Sequence, residues 1–287
     1  MFFYEICGLS VDSTFSIPLL KERDSSLKGN INISNSTLRS DVKFGNSRTI
    51  YQDDLVFYKS KTGSIYKISK NGIVVDQNQK EKDSQLGIGI LGLPLGYLLR
   101  MNSLNVIHGC SISKNNKAAC IVGKSGVGKS SIALGLTDAG FDFITEDLCV
   151  IKDQEIFSFS PWVKTTKKDF AKNNPIAFDR IKIPNDNRGR SFFKIPNINL
   201  NFSKSLTKII YFPVQSKTRS IKRIEKIESF ERIFSYSYRM ENDKKTEFEN
   251  ITKLVKNVEC YVYRRDIESS FEENLIFLQD HLEKKLG

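Results

Sequence analysis

Gly123-Lys-Ser-Gly-Val-Gly-Lys-Ser130 is the stretch of this chain that decides its fold. It matches the pattern Gly-x-x-x-x-Gly-Lys-Ser, in which glycines let successive backbone N–H groups turn toward phosphate oxygens. The apolar run Ala118–Val122 before it predicts a strand, and Ser130–Ala139 after it predicts a helix that Gly140 ends. Because the motif requires a strand before it and a helix after it, the sequence predicts an α/β protein with a phosphate-binding loop.

The loop also predicts what is bound. In such a loop Lys129 reaches the β- and γ-phosphates of a nucleotide, and the Ser130 hydroxyl coordinates Mg²⁺. The chain contains no Asn-Lys-x-Asp guanine motif, which favours ATP over GTP. The residues expected at the nucleotide are Gly123, Lys124, Ser125, Gly126, Val127, Gly128, Lys129, Ser130 and Ser131.

An acidic pair follows the loop. Glu146 and Asp147 stand between two runs typical of strands, Phe141–Ile144 and Leu148–Ile151. We expect the pair at the carboxyl edge of the sheet, where ligands of open α/β sheets bind. Phosphoryl transfer needs an acidic residue to hold the metal or to take the proton of the attacking hydroxyl, and these two carboxylates are the candidates. His108 lies in the predicted strand Asn105–Ser113, which the turn Lys114-Asn115-Asn116-Lys117 joins to the strand Ala118–Val122. If these two strands form a hairpin, His108 approaches the same site.

The segment Val106–Ile151 resembles the catalytic domain of HPr kinase/phosphorylase. The order of a His-Gly strand, a hairpin, the loop, a helix ending in glycine and an acidic pair carries the resemblance, over about a sixth of the chain. It implies a mixed-sheet P-loop core related to ATP-using phosphoenolpyruvate carboxykinases, and an ATP- and Mg²⁺-dependent protein-serine kinase. By that resemblance Glu146 or Asp147 is the general base, Ser130 and Asp147 serve the metal, and His108 is the site histidine.

The chain departs from that family in two motifs. The family usually has Asp-Asp where this chain has Glu146-Asp147, and its Glu-Ile-Arg-Gly motif does not occur here. The N-terminus and the C-terminal helix–strand–helix are more similar to stand-alone members of peptide-modification gene clusters, including lasso-peptide precursor kinases. The resemblance therefore implies a protein or peptide acceptor with a serine hydroxyl and makes HPr itself the less expected substrate.

The rest of the chain predicts a β-rich region over residues 1–85 and a kinase domain over residues 86–287. Short β-branched and aromatic runs fill the first 80 residues, and Asn71-Gly72 predicts a hairpin with positive φ at both turn positions. The polar run Gln77–Ser84 predicts a linker or an exposed loop, and Leu86–Leu99 a helix that enters the core. Ser270 and Glu273 predict a capping box at the last helix.

Composition excludes several classes of protein. The 287 residues include five cysteines with no Cys-x-x-Cys pair and two histidines, which indicate neither a zinc site nor a disulfide framework. The apolar run Leu86–Leu99 is too short to span a bilayer, and the N-terminus carries Glu5 and no basic region of a signal peptide. We therefore expect a cytoplasmic protein without a membrane span.

The positive charge is concentrated in one segment. The chain has a net charge of +11, and residues 161–226 alone hold 16 Lys and Arg against 4 Asp and Glu. Arg188-Gly189-Arg190 and Lys194 form its densest candidate anion site, and Lys164 lies nearer the acidic pair. Because Phe192-Phe193 is interpreted as core and no nucleic-acid motif occurs, we interpret the charge as a surface for phosphate or an acidic acceptor.

The sequence thus predicts a kinase that transfers the γ-phosphoryl group of ATP to a serine or similar hydroxyl. Two alternatives stay open: a small-molecule kinase of a carbohydrate or cell-surface pathway, and a nucleotide-sensing module without transfer. Nucleic acid is disfavoured as a partner, and a homo-oligomer remains an option.

Overall fold

The computed structural model describes residues 1–20, 22–24, 29–38, 42–81, 83–158, 162–165, 179–180, 189–195, 205–240 and 244–287. Over these residues the chain is a mixed α/β protein with several β-sheets. Its helices are α1 (Asp83–Ile90), α2 (Leu93–Met101), α3 (Lys129–Asp138), α4 (Lys226–Tyr236), α5 (Lys244–Asn257) and α6 (Phe271–Leu286).

The N-terminal region is β-rich, as predicted. Its strands form one sheet, called the N-terminal sheet below, in the order β1-β2-β3-β7-β6-β5-β4. Its β2–β3 and β3–β7 pairs are parallel, and its other pairs are antiparallel. Strands β2 and β4 fall outside the runs predicted as strands from the sequence. The strands are β1 (Phe2–Ile6), β2 (Leu9–Ser13), β3 (Ile31–Asn35), β4 (Thr49–Gln52), β5 (Leu55–Lys59), β6 (Ile65–Ser69) and β7 (Gly72–Asp76).

The hairpin predicted at Asn71-Gly72 joins β6 and β7, but its backbone differs from the prediction. Gly72 has a φ of +153°, whereas Asn71 does not have a positive φ. A side chain at Gly72 would collide with the backbone oxygen of Asn32 on β3. Glycine is therefore needed here because a neighbouring strand approaches closely, and not because the turn is left-handed at both positions.

The second large sheet, which leads into the glycine loop, has the order β10-β8-β11-β12-β16-β18-β17, and β9 pairs with both β8 and β16. Strands β9, β16 and β18 are parallel neighbours, which brings their carboxyl ends to one edge. These strands are β8 (Asn105–Lys114), β9 (Lys117–Val122), β10 (Asp142–Thr145), β11 (Leu148–Lys152), β12 (Glu155–Ile156), β16 (Ser205–Ser216), β17 (Ser220–Arg223) and β18 (Glu259–Asp266).

A three-stranded sheet lies between these elements in the sequence. Its strands β13 (Trp162–Thr165), β14 (Asp179–Arg180) and β15 (Ser191–Lys194) pair in the order β13-β15-β14. Phe192 and Phe193 of β15 are buried, which confirms their interpretation as core residues.

Helix α2 packs between the two large sheets, against β6 and β7 of the N-terminal sheet and against β8 of the second large sheet. The run Leu86–Leu99, predicted as one helix, forms α1 and α2 with a break at Leu91-Gly92. One hydrophobic core contains Ile73 of β7, Leu98 of α2 and Val106 of β8. Apolar packing is therefore continuous across residue 85, where the sequence analysis places a domain boundary.

In the described part of the chain, no helix is both long and apolar enough to cross a membrane. All five cysteines are buried as free thiols. The capping box predicted at the start of α6 forms with both of its hydrogen bonds, from the Glu273 backbone to the Ser270 side chain and from the Ser270 backbone to the Glu273 side chain.

Candidate active site

The glycine loop connects β9 to α3, as the motif predicts. Gly126 and Gly128 both have a φ of +88°, a backbone conformation that glycine adopts without steric cost. Gly128 is the N-cap of α3 and supplies no side-chain acceptor to the first turn. Because the first N–H groups of a helix have no intrahelical partner, this end of α3 is suited to an anion. Ser131 follows within that first turn.

Lys129 lies under the loop with its side chain 6% exposed. Its Nζ donates to the backbone oxygens of Gly123 at 2.9 Å and Lys124 at 3.0 Å, and lies 3.3 Å from Nε2 of His108. Burial lowers the pKa of Lys129, although the nearby Glu146 charge acts in the opposite direction. The loop therefore holds a buried ammonium group directly beside the predicted site histidine.

His108 and the acidic pair meet because β11 pairs with β8 and places Leu148 opposite His108. The predicted hairpin of β8 and β9 also forms. Nδ1 of His108 lies 3.1 Å from the backbone oxygen of Asp147, and the Gly109 N–H donates to the same oxygen at 3.1 Å. A Cβ at Gly109 would lie 2.8 Å from the backbone oxygen of Ile121 on β9. The His-Gly pair thus combines a ring that reaches the site with a position where strands approach too closely for a side chain.

Glu146 is the buried member of the acidic pair, with 2% of its surface exposed. Strands β10 and β11 follow one another along the same edge of β8, and the pair forms the break between them. Oε1 of Glu146 accepts a 2.6 Å hydrogen bond from Oγ of Ser130, and Oε2 accepts one of 2.5 Å from the backbone N–H of Lys164. Burial raises the pKa of Glu146, and the Lys164 charge and the Ser130 hydrogen bond partly offset this.

Asp147 differs from Glu146 in its backbone and in its surroundings. It has a φ of +64°, in the left-handed region that Asp tolerates better than most residues. Its carboxylate forms an ion pair with Nζ of Lys164 and lines a cavity, whereas Glu146 points back toward Ser130. The two adjacent carboxylates therefore face different partners.

The predicted anion cluster is brought in part to this site. Lys164 on β13 contacts both carboxylates, and Arg190, just before β15, lines the same cavity as Asp147. Lys194 is exposed on β15, and Arg188 lies outside the described residues.

Arg265 is a residue near the loop that the sequence analysis did not identify. It stands at the carboxyl end of β18, and its Nη2 donates to the backbone oxygen of Val127 at 2.7 Å. A Cβ at Gly128 would lie 2.9 Å from Nη1 of the same guanidinium group. The sequence gives only a weak signal that Arg265 belongs to the site. Arg265 reaches the loop because β9, β16 and β18 pair in parallel, and that pairing cannot be predicted from segments so far apart in sequence.

The cavity beside the loop has a volume of about 360 Å³, within the range of small-ligand sites. Ser125, His108 and Asp147 line it on the loop side. Residues of the N-terminal region, among them Lys61 and Tyr66, line it on the other side. The cavity is therefore formed between the loop and the N-terminal sheet.

The residues present fit a nucleotide with Mg²⁺. The uncapped end of α3, the Lys129 ammonium and the Arg265 guanidinium are groups that bind phosphates. Ser130 and the carboxylates supply oxygen ligands, which Mg²⁺ prefers, and this ion commonly takes one or two carboxylates together with substrate phosphates. Within the described residues there is no group of three His, Cys, Asp or Glu that could hold a metal ion by themselves.

No protein-family model matches this chain, and no curated protein matches it in sequence. Part of the chain is similar to a solved structure, the Hpr(Ser) kinase/phosphatase from Coxiella burnetii. The match has 11% sequence identity and a TM-score of 0.31, and it covers 63% of this chain and 99% of that chain. At this level the similarity assigns neither an activity nor a functional residue to this chain.

Proposed function

We propose that this protein is an ATP-dependent kinase that transfers the γ-phosphoryl group to a hydroxyl of a protein or peptide, with serine as the expected acceptor. The observation that carries the proposal is the 2.6 Å hydrogen bond between Ser130 of the loop and Glu146 of the acidic pair. It joins the predicted phosphate-binding loop to a carboxylate, and the neighbouring Asp147 lines the cavity that we assign to the acceptor. The serine specificity rests on the sequence resemblance alone.

The geometry supports a division of work between the two carboxylates. Because Asp147 lines the cavity, we assign it the role of the general base that accepts the proton of the attacking hydroxyl. The acceptor oxygen forms a bond to the γ-phosphorus, the bond from that phosphorus to the β–γ bridging oxygen breaks, and ADP leaves. Lys129 and Lys164 bring positive charge to the region where negative charge develops on phosphate oxygens.

Ser130 and Glu146 are the residues that would hold Mg²⁺ in this scheme, and the ion would neutralise phosphate charge. By the sequence resemblance, Ser130 and Asp147 serve the metal. We instead propose Glu146 beside Ser130, because its Oε1 contacts the Ser130 hydroxyl whereas the Asp147 carboxylate pairs with Lys164.

The test is incubation of the protein with labelled ATP and with the peptides that the small open reading frames beside this gene encode. Mass spectrometry then looks for one added phosphoryl group, about 80 Da. Asp147→Asn keeps the shape of the side chain but not the base, so transfer should fall about 10²- to 10⁴-fold. Asp142→Asn is the matched control, because Asp142 is exposed at the other end of the preceding strand. Full transfer by the Asp147→Asn variant would contradict the assigned base, and ATP turnover without any labelled acceptor would favour the nucleotide-sensing alternative.

A further inference from the structure

The wall of the cavity contributed by the N-terminal region has no role in the function proposed above. Arg48 and Lys61 of this region line the cavity together with Lys164 and Arg190. Glu81 and Asp147 are the carboxylates that line it, so four cationic side chains face two acidic ones. The lining therefore carries a net positive charge, and both walls of the cavity contribute cationic side chains to it.

The carboxylates of the cavity are already engaged within the protein. Asp147 pairs with Lys164, and Oε2 of Glu81 accepts hydrogen bonds from the hydroxyls of Thr62 and Ser64. Among the described residues, neither Arg48 nor Lys61 has a carboxylate within ion-pair distance. Two cations on the N-terminal wall are thus available to a ligand.

Two buried hydrogen-bond donors of the lining have no partner in the described part of the chain. They are Oη of Tyr66 and Nε1 of Trp162, on side chains that are 0% and 3% exposed. Buried polar groups of native proteins are nearly always hydrogen-bonded, so each such group needs an explanation. One donor belongs to the N-terminal sheet and the other to β13, so a ligand that accepts from both would bridge the two walls.

The backbone near Tyr66 is built to leave room for its hydroxyl. A Cβ at Gly89 of α1 would collide with Oη of Tyr66. Glycine within a helix costs about 1 kcal/mol relative to alanine, so its presence here is explained by the space that the hydroxyl occupies.

We propose that this cavity is the acceptor subsite and that the N-terminal region completes it for an acceptor that carries a carboxylate or phosphate beside its hydroxyl. The inference rests on the proposed kinase function. The hydroxyl lies toward Asp147, and the anionic group lies toward Arg48 and Lys61. Tyr66 and Trp162 donate to oxygens of the bound acceptor. The anionic group can come from an acidic residue next to a serine in a peptide or from a small hydroxy acid.

Trp162 makes direct binding measurable, because it is the one tryptophan of the sequence and it lines the cavity. Its emission is followed while the full-length protein is titrated with capped Glu-Ser-Glu, Ala-Ser-Ala and Lys-Ser-Lys tripeptides and, separately, with 3-phosphoglycerate. We expect an emission change with an anionic probe and at least a tenfold weaker apparent affinity for the basic peptide. Equal responses to the three peptides, or no response to either anionic probe at millimolar concentration, would overturn the proposal. The peptide and small-molecule arms identify the source of the anion.

Variants test the two parts of the site separately. Arg48→Gln combined with Lys61→Gln should weaken anion binding at least tenfold. Lys59→Gln changes an exposed lysine at the end of β5, two residues before Lys61, and should leave anion binding unchanged. Tyr66→Phe removes a hydroxyl that has no partner in the described chain, so folding should be unaffected while affinity falls about fivefold or more. An unchanged affinity in both Arg48→Gln/Lys61→Gln and Tyr66→Phe would overturn the subsite.

The outcome is separable from that of the proposed function. If Asp147→Asn abolishes transfer and the N-terminal variants keep the wild-type KM for the acceptor, the kinase stands and the subsite fails. If the variants lose anion binding and wild type transfers phosphate to no acceptor, the subsite stands and the kinase fails. Affinity for a labelled ATP analogue should be unchanged in the N-terminal variants in either case.

Discussion

The two walls of the cavity differ in how their residues are distributed along the sequence. On the loop side, most of the groups that we assign to phosphate lie within one stretch of the sequence, from His108 to Asp147, and the fold adds Lys164 and Arg265. On the N-terminal side, Arg48, Lys61 and Tyr66 come from separate positions around a β-sheet and match no motif. A short stretch can specify phosphate chemistry because backbone N–H groups do much of the binding. Recognition of an acceptor depends on side chains that only the folded sheets bring together.

Changes on the loop wall should remove catalysis itself. Lys129→Ala should lower kcat/KM for transfer about 10³-fold or more, because it deletes a buried charge that would face developing negative charge. The measurement is initial-rate transfer from labelled ATP, with Lys152→Ala as a control at an exposed position away from the loop. Wild-type rates in Lys129→Ala would remove the distinction between the two walls.

Helix α2, which lies between the two large sheets, carries a buried ion pair. Arg100 of α2 forms a 2.7 Å ion pair with Glu247 of α5, and both side chains are 4% exposed. Arg100→Met should lower the free energy of unfolding by about 3–5 kcal/mol, because it leaves a buried carboxylate without this partner. Urea unfolding measures the loss. Arg100→Met with Glu247→Met should recover most of it.

A matched surface pair provides the control for that experiment. Arg232 and Glu228 form a 2.8 Å pair one helical turn apart, at 34% and 45% exposure. Arg232→Met should cost less than about 1 kcal/mol, because water screens exposed pairs. Equal losses in Arg100→Met and Arg232→Met would show that the buried pair does not hold α2 between the sheets.

Arg265 tests whether the loop wall extends beyond the motif. Arg265→Lys removes the planar group that donates to Val127, so affinity for a labelled ATP analogue should fall about tenfold, or about 1.4 kcal/mol. Arg264→Lys changes the adjacent residue in the same way and should have little effect. If both variants bind the analogue as wild type does, the functional part of the loop wall ends at the contiguous motif.

The smallest expected effect is on the pH dependence of kcat/KM. Burial raises the pKa of Glu146, so its ionised form and the rate should increase with pH through a range above the ordinary value for glutamate. Burial lowers the pKa of Lys129, so the rate should decrease at a pH below the ordinary value for lysine. In Lys129→Arg the alkaline decrease should disappear, because arginine stays charged. Persistence of that decrease would assign it to another group.

The same shift at Glu146 has a consequence for stability. A carboxyl whose pKa is raised in the folded protein binds its proton more tightly there than in the unfolded chain. Its contribution to the free energy of unfolding is therefore fully present below the ordinary pKa of glutamate and is lost as pH rises through the raised value.

Much of the fold near the loop was predictable because its signals are local. The strand, loop and helix around Gly123–Ser130, the hairpin turn between β8 and β9, and the capping box at Ser270 all form as their sequence patterns indicate. The break within Leu86–Leu99 and the close approach behind Gly72 were not predictable, because each depends on a neighbour that is distant in sequence.

By itself, the sequence determined the glycine loop and the strands beside it, and it predicted the candidate groups Lys129, Ser130, Glu146, Asp147 and His108. Only the tertiary structure decided that Glu146 contacts Ser130 while Asp147 lines the cavity, and that Arg265 and the N-terminal sheet reach the same site. The physical reason is the range of the interactions. Backbone turns and helix ends are governed by adjacent residues, whereas parallel strand pairing joins residues as distant as Ile209 and Glu259, and Arg265 contacts a residue 138 positions away.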